Sequence, residues 1–182
     1  MDGRYIEAAL AAGFTEAGET GAEAAQGSEK IRAWCAPEKC GNYGKNWVCP
    51  PGCGSLEECR KTAAGYRKAL VVMSRFDDVD TGDAAAMRDL AALHSRRTGI
   101  FLDRLRLDHP ETYLLTTGGC DLCEACTWPD EPCRHPDKKR GSLSAFGIDV
   151  TKLCESAGVE YTFSPGTLRL ISCLLYGKAG RR

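Results

Sequence analysis

Eleven of the 182 residues are cysteines, and their placement constrains this chain more than any other feature. Five fall between Cys35 and Cys59, four between Cys120 and Cys133, and only Cys154 and Cys173 stand apart. Clustered thiols mean disulfides, metal ligation or thiol chemistry. A disulfide framework belongs to an oxidising compartment and usually to a short secreted chain. Here Met1-Asp2-Gly3-Arg4-Tyr5-Ile6-Glu7 carries charge where a secretory signal carries its apolar run. No window approaches the roughly eighteen apolar residues of a membrane span. The expectation is a cytoplasmic protein whose clustered cysteines are metal ligands.

The second cluster is the more specific. In Gly118-Gly-Cys-Asp-Leu-Cys-Glu-Ala-Cys126, Cys120, Cys123 and Cys126 recur at two-residue gaps, and Cys133 follows after a six-residue gap. Three thiolates so spaced let one tight loop wrap three corners of a cube, with a more distant cysteine at the fourth, as in bacterial iron–sulfur runs. Those runs close with a three-residue gap; the longer gap here lets one loop supply all four ligands of a [4Fe–4S] cluster. Zinc is the competing occupant, but structural zinc sites usually pair two knuckles across a spacer. Gly118-Gly119 allows close backbone approach, with amide N–H groups available to face sulfur, and Trp128 is placed to shield a cluster from water.

The first cluster, Cys35, Cys40, Cys49, Cys53 and Cys59, has gaps of four, eight, three and five. It is broken by glycines and by Pro37, Pro50 and Pro51, so a bound metal is the evident source of its order. Four ligands complete a cube. Cys35, Cys40, Cys49 and Cys59 are the expected set, with Cys53 the surplus member, although the Cys49-x3-Cys53 spacing serves equally well. Gly41-Asn-Tyr-Gly-Lys45 lacks the register of a phosphate loop, and Asn46 stands where that motif needs Ser or Thr. A radical-type C-x3-C-x2-C triplet fails because Leu56 occupies its third position.

Outside the clusters the chain reads as scaffold. Apolar runs at 69–76, 112–117, 159–163 and 168–176 predict strands, the last two a hairpin turned at Ser164-Pro-Gly-Thr167. Helical periodicity predicts helices over 5–12, 83–107 and 142–157, with Gly99 a possible break and Gly158 a C-terminal stop. The expected fold is α/β (α+β): a small mixed sheet with covering helices and two cysteine-rich loops, as one domain over 1–182. The strands 69–76 and 112–117 are expected to be antiparallel neighbours, which puts both cysteine segments at the same end of the sheet. His94 is expected to be structural and His109 to cap a helix end; His135 alone lies near a metal site. Cys154 and Cys173 are expected to act as small buried hydrophobes.

Tyr43-Gly-Lys-Asn-Trp-Val-Cys-Pro-Pro51 with Glu57-Glu-Cys59, the Gly118–Cys126 segment with Pro132-Cys-Arg-His-Pro136, and Ser144-Ala-Phe-Gly-Ile-Asp-Val150 resemble a bacterial and archaeal family described only as predicted metal-binding proteins. The resemblance implies cysteine-ligated metal, iron–sulfur foremost, and no particular reaction.

Charge narrows the function classes. Lys and Arg total 24 against 25 Asp and Glu, a net charge of −1. No global basic field exists to attract nucleic acid or anionic lipid. Three classes remain. The first is an electron-transfer or redox-accessory protein with one or two [4Fe–4S] clusters serving a redox partner protein. The second is a cluster-dependent enzyme acting on a small molecule, and the third a zinc-stabilised interaction module.

Overall fold

The fold is built on two long strands. In the computed structural model, which describes residues 3–179, β2 (Tyr66–Phe76) and β5 (Leu168–Lys178) pair antiparallel along almost their whole lengths. The other strands flank this pair: β1 (Glu16–Gly21) lies antiparallel to β2, and β3 (Tyr113–Thr116) antiparallel to β5. The short β4 (Gly141–Ser142) runs parallel to β3, giving a mixed five-stranded sheet in the order β1-β2-β5-β3-β4.

Continuous apolar runs arise because both sheet faces are covered. Ala69, Val71, Met73, Ile171, Cys173 and Leu175 point to one face, packing with Leu143, Phe146, Leu153 and Cys154. Leu70, Val72, Leu114 and Leu174 point to the other, against Phe14, Phe101, Leu102 and Leu105. The period-two alternation of a strand thus feeds two cores. Helices α3 (Leu56–Ala64) and α5 (Val150–Ala157) serve the first, and α1 (Arg4–Ala11) and α4 (Ala84–Leu105) the second. A one-turn helix, α2 (Glu29–Arg32), leads into the first cysteine segment.

Local signals set the helix starts. The Asp83 carboxylate accepts from the Ala85 and Ala86 N–H groups to begin α4, and Asp149 does the same for α5. Ser55 and Glu58 form a reciprocal capping box at α3. Gly158 ends α5 at φ +69°, the left-handed conformation glycine favours.

The structure corrects four expectations. The helix expected over 142–157 is only α5, because Ser142 belongs to β4 and Gly147 turns the chain at φ +72° against the Ser28 backbone. Residues 159–163 form no strand: Val159 folds back to donate to the Cys154 carbonyl, and β5 takes β2 and β3 as partners instead of a hairpin mate. Gly99 does not interrupt α4. Finally, β2 and β3 both run antiparallel to β5, so they are parallel to each other and separated by it. The cysteine segments nevertheless meet. Between the first segment and β2 the chain passes through α3, about 13 Å long at the helical rise of ~1.5 Å per residue, which returns it along the sheet before β2 begins.

Candidate metal centre

The second cysteine segment leaves β3 through Gly118, whose φ of +87° turns the backbone sharply. Beyond that turn Cys120, Cys123, Cys126 and Cys133 line a single small hollow, together with Leu122 and His135. The loop between Cys126 and Cys133 is tied to itself: Glu131 N donates to Thr127 O at 3.0 Å and Thr127 Oγ1 to Pro132 O at 2.9 Å. Arg134 Nη1 donates to Ala125 O at 2.9 Å, drawing the end of the loop back to its beginning. The Cys120 sulfur receives backbone N–H groups from Leu122 and Arg140, which favour the thiolate; burial outweighs them and raises the thiol overall. Cys126 is exposed and the other three thiols are half-buried.

The first segment is held by two polar side chains. Asn46, buried, accepts on Oδ1 from Val48 N at 3.1 Å and Cys49 N at 2.9 Å, which folds Cys49 inward. Cys53 N then donates to Cys49 O at 3.1 Å. From α2, Arg32 reaches into the segment: Nη2 donates to Gly54 O at 2.6 Å, and Nη1 to Ala145 O and to the Cys53 sulfur at 3.4 Å, with the Cys59 sulfur at 3.8 Å. The Cys59 thiol donates to the Cys53 sulfur and, with Arg32, holds Cys53 down to about 6; Cys59 itself is pushed up, first by that bond and then by burial. Cys49 is raised to about 11 by burial, and Cys35 rises for the same reason. Cys35, Cys40, Cys49 and Cys53 lie within electrostatic reach of one another. Cys59 stands on α3 with its side chain in the core.

The two segments touch. Trp47 of the first donates from Nε1 to Thr127 Oγ1 at 3.3 Å and Glu131 O at 3.2 Å, and its ring meets Trp128 edge to face at 4.6 Å. Trp47, Val48 and Lys139 line both the hollow of the second segment and a neighbouring one that holds Cys53 and Cys59.

The donor set is soft thiolate throughout, which suits zinc, Cu(I) or iron–sulfur over hard oxygen-seeking cations. Among the described residues no three His, Cys, Asp or Glu side chains are already drawn to one point. The remaining candidates take structural places. Cys154 and Cys173 are buried in the core and raised by burial to about 12. His109 packs between Tyr5 and Tyr176, and its N–H caps the Leu105 carbonyl at the end of α4. His94 lies between Ser74 Oγ and Ser172 Oγ, 2.9 Å from each, and burial holds it down at about 4. Sequence reasoning missed Arg32 and Arg140. Each is one of many arginines, and the only signal for Arg32 is its position three residues before Cys35.

A mixed sheet carrying two thiol-lined loops in contact defines a cysteine-rich metal-binding protein. The chain belongs to the family described as predicted metal-binding proteins (DUF2284), whose match spans residues 21–176 and so includes both cysteine segments and the sheet. No curated protein and no solved structure matches it. Among the described residues no helix is long and apolar enough to cross a membrane.

Proposed function

We propose that this metal-binding protein is an iron–sulfur protein that passes single electrons to a redox partner protein in the cytoplasm. The observation that carries the reading is the convergence of Cys120, Cys123, Cys126 and Cys133 on one hollow within a loop tied to itself. Three cysteines separated by two successive two-residue gaps wrap a cube more readily than a tetrahedron, and N–H groups on the Cys120 sulfur are the contacts that tune a cluster's potential. The first segment is the second centre. The electrostatic influence of Cys40 and Cys53 on both Cys35 and Cys49 supports Cys35, Cys40, Cys49 and Cys53 as ligands, with Cys59 and Arg32 as hydrogen-bond partners of Cys53. This exchanges the roles that spacing suggested for Cys53 and Cys59, because α3 turns Cys59 toward the core. Trp47 and Lys139, which wall both hollows, support a distance short enough for electron exchange between the two centres.

The test is iron and acid-labile sulfide analysis of protein purified without oxygen, with EPR after dithionite reduction. The expected result is a brown protein with two clusters' worth of iron and sulfide and a reduced-cluster signal. Zinc in both sites, with no sulfide, overturns the redox reading.

A further inference from the structure

Between α4 and the turn that leads into the second cysteine segment lies a cavity of about 330 Å³. It is framed by Arg88 and Ser95 on α4, the Gly118-Gly119 turn after β3, and Asp121 with Arg140 beyond it. Its size falls at the small end of ligand pockets. Arg140 Nη1 donates to Asp121 Oδ1 at 2.9 Å and to Ser95 Oγ, and Ser95 Oγ donates to Asp121 Oδ2, so both oxygens of the one carboxylate in the wall are already bound. That cancels one guanidinium charge against one carboxylate and leaves Arg88, which is exposed and has no ion-pair partner among the described residues. The N–H groups of Gly118 and Gly119 likewise have no acceptor among the described residues. Consecutive free N–H groups at a turn containing a left-handed glycine form an anion-seeking concavity. Arg140 is held flat across α4, its Nη2 3.4 Å from where a side chain at Gly99 would begin.

We infer that this cavity binds a small oxyanion-bearing molecule, a short carboxylate or phosphate compound, with Arg88 as its uncompensated cation, the Arg140–Asp121 pair as a neutral wall and Gly118-Gly119 as its backbone donors. Gly119 and Asp121 flank Cys120, so the bound molecule lies directly beside the second cysteine segment. The site stands independently of which metal that segment holds.

Isothermal titration of the full-length protein at low ionic strength, with inorganic phosphate and separately with malonate, tests the inference, and glycerol serves as the neutral control. Saturable binding of one or both anions supports it and tells the two anion chemistries apart. Arg88→Gln, exposed and outside the core, is expected to weaken that binding about tenfold or more, the scale of a lost charge-assisted hydrogen bond. Ala92→Trp, which fills the cavity without altering charge, is expected to abolish it. Arg104→Gln, on the same helix but outside this cavity, is expected to leave it unchanged. Metal and sulfide are measured on every variant, so loss of anion binding with unchanged metal content separates this site from the proposed centres. Absence of saturable binding for both anions, or equal weakening by Arg88→Gln and Arg104→Gln, overturns the inference.

Discussion

Arg32 and His94 show how far single side chains organise this molecule. Arg32 satisfies the Gly54 and Ala145 carbonyls, half-buried acceptors that water would otherwise have to serve, while its charge faces the Cys53 sulfur. Arg32→Met leaves those acceptors unpaired, at about 1–3 kcal/mol each. The expected outcome is a urea midpoint lowered by a loss of about 2–4 kcal/mol, with metal lost from the first segment before the second. His94 carries a pH signature. Its folded-state value of about 4 lies below the ordinary histidine value of 6.5, so folding favours the neutral ring. That contribution is fully present above about pH 6.5 and is lost as pH falls from there toward 4, amounting in full to about 3 kcal/mol. Urea unfolding from pH 7 to pH 4.5 is expected to show that decline, and His94→Gln to flatten it at the cost of lower stability at pH 7.

The elements divide into those whose stability is local and those that need a partner. α3, α4 and α5 begin at caps already written in their own residues. β1, Glu-Ala-Gly-Glu-Thr-Gly, has weak strand propensity and forms because β2 offers it an edge, so no local pattern reveals it. Gly18 fits there because a Cβ would lie 1.9 Å from the Ala157 carbonyl at the end of α5, a backbone group that cannot swing aside. Gly18→Ala is expected to cost more than about 2 kcal/mol by forcing strand and helix apart, read as a lowered midpoint in thermal or urea unfolding. The cysteine loops are elements of a third kind, proposed to gain order from the metal they bind. Replacing any one of Cys120, Cys123, Cys126 and Cys133 by Ser is expected to remove one cluster's worth of iron and sulfide and spare the first site. Cys154→Ala is expected to leave metal content unchanged, because that thiol packs in the core away from both hollows.

At the scale of the whole molecule, a rigid sheet buried on both faces carries two loops that lean on each other through Trp47 and Trp128. Stripping the metal with a chelator under reducing conditions is expected to raise amide hydrogen exchange across 35–54 and 118–139 and leave β2 and β5 protected; uniform deprotection would show that the loops and the sheet unfold as one unit. The sequence by itself determined the strands at β2, β3 and β5, the long α4 and the cysteine-based chemistry, because periodicity, capping and ligand spacing are local properties of the chain. Tertiary structure decided the rest. The alternation of Val159-Glu-Tyr-Thr-Phe163 promised a strand, but its would-be partner β5 is already paired on both sides by β2 and β3. Topology made β2 and β3 parallel, and only the return path of α3 brought the two thiol segments together. The direction in which α3 presents the Cys59 sulfur is likewise set by packing, and Arg32 and Arg140 reach the cysteine segments from distant positions. A side chain's direction and its non-local neighbours are fixed by packing, not by spacing along the chain.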